Sequence, residues 1–446
     1  MMVAGGVAVA APETSGPETV LIQPAATIPL PPELDPAFYH PSTDAVAAKA
    51  PGEIIAARLV NLANFGLIPL NVDAWQVSYR SNNSRDEPIA AVATVLKPRG
   101  SAPDKLVSMQ VAEDSLGAYC APSYAVQQSS VATLAGQIVA PLEFMIAQGA
   151  VQQGWAVVIP DHQGPNEAYA AGPLAGRITL DGIRATRAFE PMQLATDARI
   201  AMYGYSGGAI ATGHAAELHQ SYAPELNIVG VAEGGVPADL GPVLDNSING
   251  IWSGMAMAAV IGLSREYPEF SALLDQTMDP LGKALSVIKG GLCVQWNTAL
   301  APFMNVKGFL RTQGDPLDHP VVREVLDSTR MGKSVPTMPM YIWQGNPDEL
   351  IPVGQVNTLI NTYCQDPAAS VQYTREHLSE HITTELFGTG PALLWLRDRL
   401  NGVPASQGCS TSDVGWLAMN PDGLQLVGQT FGETLASFLG KPIGVK

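Results

Sequence analysis

Gly204-Tyr205-Ser206-Gly207-Gly208 reads G-x-S-x-G and follows the apolar run Arg199-Ile200-Ala201-Met202-Tyr203. The small residues Ala209-Ile210-Ala211-Thr212-Gly213 behind it can start a helix. A strand, a tight turn and a helix would hold Ser206 in a strained backbone, with its hydroxyl clear of the sheet and aimed at an acyl carbon. Gly204 and Gly208 flank Tyr205 and Ser206 because side chains there would collide with the strand and helix. Serine is a weak nucleophile and needs a base, which a carboxylate must orient. Of the seven histidines, His377 and His381 are the two that lie beyond residue 334. They follow the strand-like Val371–Thr374, where the base is due, and both remain open. The carboxylate should follow the preceding strand. Gln344-Gly345-Asn346-Pro347-Asp348-Glu349 offers Asp348 and Glu349. Asp348 is the better choice, because the turn before it can aim its side chain at the sheet edge. Acyl transfer also needs donors for a tetrahedral oxyanion. One is the N–H of Gly207; for the other, the loop Ala112-Glu113-Asp114-Ser115-Leu116-Gly117 makes Asp114 a candidate, although it lacks an HGGG motif.

The elements that must position these groups alternate. Ala74–Tyr79 and Ile89–Leu96 read as a hairpin around a polar turn, and Leu106–Val111 as a third strand. Trp155–Ile159, Ile228–Ala232 and Met340–Trp343 are further buried strands. Pro141–Gln153, Thr179–Phe189 and Thr383–Leu400 have helical spacing. Strands alternating with helices imply an α/β class, with a mostly parallel central sheet covered by helices on both faces. With a serine elbow at the end of a central strand, this is an α/β-hydrolase expectation. About a hundred residues without a convincing strand separate Ile228–Ala232 from Met340–Trp343, far more than a βα connection needs. The excess predicts an inserted helical cap (lid) over 236–334 that supplies an apolar pocket or simply packs on the core. The remaining divisions are a leader and extended arm over 1–30, the α/β core over 31–235 and 335–400, and a C-terminal segment over 401–446.

Composition limits the partners. The formal net charge is −17 with 24 basic residues, and no basic cluster is present, which argues against nucleic acid. The acidity serves solubility. No stretch is apolar enough for a transmembrane segment. Met1–Ala11 reads as a truncated signal peptide, with Ala8-Val9-Ala10 like a cleavage site. The four cysteines, Cys120, Cys293, Cys364 and Cys409, form no C-x-x-C pair, so a zinc site is not expected. In an exported protein an even count suggests two disulfides, with three pairings open.

Together these residues resemble the secretory lipases of the Candida antarctica lipase A type, and specifically an actinobacterial-type member. The matching motifs are Glu113-Asp114, Cys120-Ala121-Pro122-Ser123-Tyr124, Asp161-His162-Gln163-Gly164, Leu180-Asp181-Gly182-Ile183-Arg184-Ala185 and the serine elbow. Pro347-Asp348-Glu349-Leu350-Ile351-Pro352 and Glu380-His381-Ile382-Thr383, with Leu386-Phe387-Gly388, complete them. The resemblance implies Ser206 as nucleophile, Asp348 as acid and His381 rather than His377 as base. It implies that the Asp114 loop completes the oxyanion hole with Gly207. It also implies the disulfides Cys120–Cys293 and Cys364–Cys409, and a C-terminal flap around Val414–Met419. The expected activity is that of a secreted serine ester hydrolase, a triacylglycerol lipase, with no cofactor and no metal. Its expected partner is a lipid or other ester substrate at an oil–water interface, and the expected state is a monomer. A carboxylesterase or polyesterase for short-chain or specialised esters, or an acyltransferase, would share the same triad. A non-enzymatic lipid-binding protein would show a broken triad instead.

Overall fold

The computed structural model describes residues 21–444. The strands are β1 Ile22–Gln23, β2 Ile54–Leu59, β3 Ala63–Asn64, β4 Ile68–Pro69, β5 Asp73–Asn82, β6 Pro88–Lys97, β7 Lys105–Gln110, β8 Ala156–Pro160, β9 Arg199–Tyr205, β10 Ile228–Gly234, β11 Met340–Gly345, β12 Ser370–Glu376 and β13 Gly408–Val414. β3 and β4 form a small separate pair, and the others make one sheet of eleven strands in the order β1-β2-β5-β6-β8-β7-β9-β10-β11-β12-β13. β5 and β6 are an antiparallel hairpin, and the sheet runs parallel from β8 through to β13. β7 to β11 are nearly all buried, as strands covered on both faces must be.

Helices Gly172–Ala188 and Gly207–Tyr222 cover one face, where Leu174, Ile178, Ile183 and Ile210 join one large apolar cluster. Helices Val139–Gln152 and His381–Leu400 cover the other, through Phe144, Val151, Leu396 and Leu400. β9 thus lies deep in the sheet, between β7 and β10, with helices above and below its carboxyl end.

Between β10 and β11 the chain forms helices Leu240–Ser247, Ser253–Glu266, Pro268–Thr277, Pro280–Lys289, Val294–Ala299 and Pro320–Thr329. Their buried side chains, including Met257, Ile261, Phe270 and Val325, are continuous with the core cluster on the serine side of the sheet. The inserted helices are therefore docked on the sheet domain rather than hung from it.

Several elements differ from their sequence reading. The helix expected from Thr179 begins at Gly172, because Pro173 in its first turn lacks only an N–H that the helix does not use. The helix expected from Thr383 begins at His381, where the Glu380 side chain accepts the N–H groups of Ile382 and Thr383 as its cap. Within the expected extended arm β1 pairs in parallel with β2, and just beyond it Pro32–Leu34 forms a 3₁₀ turn. The C-terminal segment holds an edge strand, β13, and the helix Pro421–Phe438, which packs on Val139–Gln152 and His381–Leu400. The leader and cleavage-site reading lies outside the described residues.

Candidate active site

The tight turn at the end of β9 sets the serine. Ser206 has φ +51° and ψ −119°, in the left-handed half of backbone space that a side chain adopts only where its surroundings hold it. Its N–H donates to Gly234 O of β10, and the helix begins at once with Gly207. The turn is tight enough that a Cβ on Gly208 would lie 2.0 Å from Gln110 O of β7. Ser206 Oγ emerges at the N-terminus of the helix Gly207–Tyr222, where free N–H groups and the helix dipole favour negative charge.

His381 Nε2 lies 2.8 Å from Ser206 Oγ, and His381 Nδ1 lies 2.8 Å from Asp348 Oδ2. All three residues are buried. The Asp348 carboxylate also accepts from Gln344 Nε2 at 2.9 Å and from the N–H groups of Leu350 and Ile351 at 3.0 and 2.7 Å. A carboxylate so held fixes the imidazole with its proton on Nδ1, leaving Nε2 to accept from the serine hydroxyl. Burial alone would push the His381 imidazole down; the adjacent Asp348 charge and hydrogen bond outweigh it and hold its pKa above the ordinary value. Tyr205 adds a second constraint, donating its hydroxyl to His381 O at 2.6 Å with its ring 5.2 Å from the imidazole.

Of the two candidate histidines, His381 therefore stands beside the serine. His377 lies in the exposed layer between Asn346 Nδ2, at 3.0 Å, and Asp413 Oδ1, at 2.8 Å. Of the two candidate carboxylates, Asp348 faces the imidazole, while Glu349 Oε2 accepts the backbone N–H of His381 at 3.1 Å.

Asp114 sits in the loop after β7 with φ +47°. Its carboxyl lies directly over Gly207: a Cβ there would fall 1.7 Å from Asp114 Oδ1. Only glycine fits beneath it. Burial pushes the Asp114 pKa up to about 7, opposed in part by His381. This brings the Asp114 loop and the first N–H of the helix to one side of Ser206.

Cys120 is bonded to Cys293, and Cys364 to Cys409. The first bridge joins the segment after the Asp114 loop to the inserted helices. Leu116 N also donates to Leu292 O at 3.0 Å, and Val294 N to Ser115 Oγ at 3.1 Å.

A cleft opens beside Ser206. Its walls come from Ile210, Leu350 and Ile351 of the sheet domain and from Leu244, Met255, Ala259, Val260 and Phe270 of the inserted helices. None of the residues lining it is charged, and none comes from 401–446. The expected flap around Val414–Met419 thus contributes no wall here. Trp416 instead packs edge-on against Phe387 of the helix His381–Leu400, 5.2 Å between ring centroids.

Three residues that hold the site escaped the sequence reading: Gln344, Glu349 in its backbone role, and Tyr205 as a support for His381. Gln344 carried a legible signal, a polar side chain at the end of an otherwise apolar strand.

Residues 127–408 match the family described as secretory lipase. Lipase A of Arthroderma benhamiae is 34% identical over 434 residues, covering 96% of this chain and 92% of that protein. A protein named secreted triacylglycerol lipase from Malassezia restricta is 34% identical over 387 residues, covering 84% of this chain and 81% of its own. Among solved structures, Candida antarctica lipase A superposes with a TM-score of 0.82 at 31% identity, covering 94% of this chain and 99% of that one.

Proposed function

The chain belongs to the secretory lipase family, and from that premise we propose that it is a secreted triacylglycerol lipase acting through an acyl-enzyme on Ser206. The observation that carries this reading is the unbroken relay Ser206–His381–Asp348 at the mouth of an uncharged apolar cleft. Ser206 Oγ attacks the ester carbonyl as His381 Nε2 takes its proton. Asp348 stabilises the imidazolium that forms. The N–H groups of Gly207 and Asp114 receive the oxyanion. His381 then protonates the leaving alcohol, and water repeats the sequence on the acyl-enzyme. The cleft takes the acyl chain, because burying each methylene there gains about 0.8 kcal/mol and leaves no charge desolvated.

Export is supported by the two disulfides, which oxidising compartments preserve, and by relatives named as secreted. No helix among the described residues is long and apolar enough to cross a membrane. We read the enzyme as a monomer that meets its substrate at an oil–water interface. The finer attribution to an actinobacterial-type member rests on motifs alone; the relatives named here are fungal and give it no support.

Hydrolysis of a glyceride series, from short to long acyl chains and across the solubility limit, tests the lipase reading. A rise in rate when long-chain substrate forms an emulsion is expected. Activity confined to dissolved short-chain esters would replace the lipase reading with a carboxylesterase.

A further inference from the structure

Behind the oxyanion loop lies a pair of carboxyl groups that the relay does not use. Glu143, in the helix Val139–Gln152, is buried, and its two oxygens accept the N–H of Ala112 at 3.2 Å each. Ala112 starts the loop that carries Asp114. Glu143 and Glu385, the latter one helical turn beyond His381, are near enough to act on each other through charge and a shared side-chain hydrogen bond. Oε1 of Glu385 is buried with no N–H or hydroxyl donor among the described residues. Two carboxyls in contact, one of them lacking any such donor, satisfy each other only if they share a proton.

We propose that Glu143 and Glu385 are positioning residues for the ester hydrolysis described above, a one-proton carboxyl pair that ties the oxyanion loop to the helix bearing the general base. The pair spans the two parts that must keep register: Glu143 fixes Ala112, and Glu385 travels with His381. The groups facing it are few. Asp114 faces both carboxyls from the loop after β7, and Tyr203 of β9 faces both from the sheet. His381 and Tyr205 face Glu385.

The charge and the proton have separate consequences. Burial pushes Glu143 well above the usual carboxylate range, which favours its protonated form. Burial also pushes Glu385 up, to about 7, but the His381 charge and the Glu143 hydrogen bond oppose this and favour its ionised form. That ionised form helps to keep the His381 pKa raised. This inference rests on His381 being the base of the proposed reaction.

The test compares kcat and KM on a dissolved short-chain ester, as a function of pH, for the full chain and three variants. Glu385→Gln removes the charge beside His381, so the acid limb of kcat/KM should move down by about half a pH unit or more. Glu143→Gln can still accept from Ala112 and donate to Glu385, so it should keep the native acid limb and most of kcat. Glu143→Leu strands the Ala112 N–H, and kcat should fall about tenfold or more while KM changes little. An unmoved acid limb in Glu385→Gln would overturn the proposal. So would a Glu143→Leu protein that loses thermal stability but keeps native kcat. Should Glu143→Leu not fold, the acid limb of Glu385→Gln decides alone. Labelling of Ser206 by a fluorophosphonate in the unaltered chain separates the two levels: its absence would sink the serine mechanism itself, whereas labelling with unmoved pH profiles would sink only the pair.

Discussion

At the scale of single residues, charge near the proposed oxyanion site governs the expected rate. In the proposed reaction Asp114 contributes its N–H, and its carboxyl, which covers Gly207, must not become negative as the substrate oxygen does. Burial keeps that carboxyl neutral up to about pH 7. Above this it ionises beside the developing oxyanion, and the rate should fall. Asp114→Asn keeps the backbone donor and cannot ionise. Its kcat should therefore hold on the alkaline side where the native enzyme declines, which a pH–rate comparison from 6 to 9 reads directly; parallel alkaline declines in both proteins would remove Asp114 from the explanation. Much of this site was legible in sequence. Ser206 showed because its turn demands glycine on either side. The residues alone left His377 and His381 open, since both follow the same strand; the family's motif chose between them. Glu143 was invisible because a glutamate within a helix reads as a solvent position, and its burial depends on a loop and a helix distant in sequence.

At the scale of elements, the inserted helices line much of the cleft beside Ser206. Ala259, half-buried on the helix Ser253–Glu266, faces the cleft. Ala259→Trp should fill the acyl path and lower kcat/KM about tenfold or more for long chains, with little change for short ones. An unchanged chain-length profile would place the acyl chain elsewhere. These helices are stapled to the oxyanion segment by Cys120–Cys293. Cys120→Ser paired with Cys293→Ser should lower the unfolding free energy by about 2–4 kcal/mol. Denaturant melts measure it, and an unaltered midpoint would mean that the hydrogen bonds around Leu292 and Val294 suffice. Alternating apolar runs made the buried strands readable. β13, whose residues are nearly all exposed and polar, showed no such pattern; only its pairing with β12 makes it a strand. The helix Pro421–Phe438 was hidden for a related reason, since it packs on a surface that exists only once the sheet has formed.

At the scale of the whole molecule, the formal charge of −17 overstates the charge that solvent meets. Burial raises Asp161 and Glu233 to about 8, Asp114, Glu167 and Glu385 to about 7, and Glu113 and Glu143 well above the usual range. The folded chain therefore binds more protons than the unfolded chain through the neutral range, so stability should decline as pH rises through it. His162 and His214, held down to about 4, act in the opposite sense below the ordinary imidazole range, and Lys289, held down to about 8, does so as that pH is approached, which leaves about pH 6.5 to 7.5 as the window where the carboxyls dominate. Calorimetric Tm should fall across that window; a rise would show that the buried carboxyls find counter-charges. The catalytic claim is best tested on the intact protein as well. A fluorophosphonate should add once per chain, on Ser206, and ester hydrolysis should vanish in proportion to the intact-mass shift. Ser206→Ala, folded as judged by its Tm, should neither take the label nor hydrolyse ester above about a thousandth of the native rate. Native-like hydrolysis by Ser206→Ala, or a stoichiometric adduct on another residue, would contradict the account.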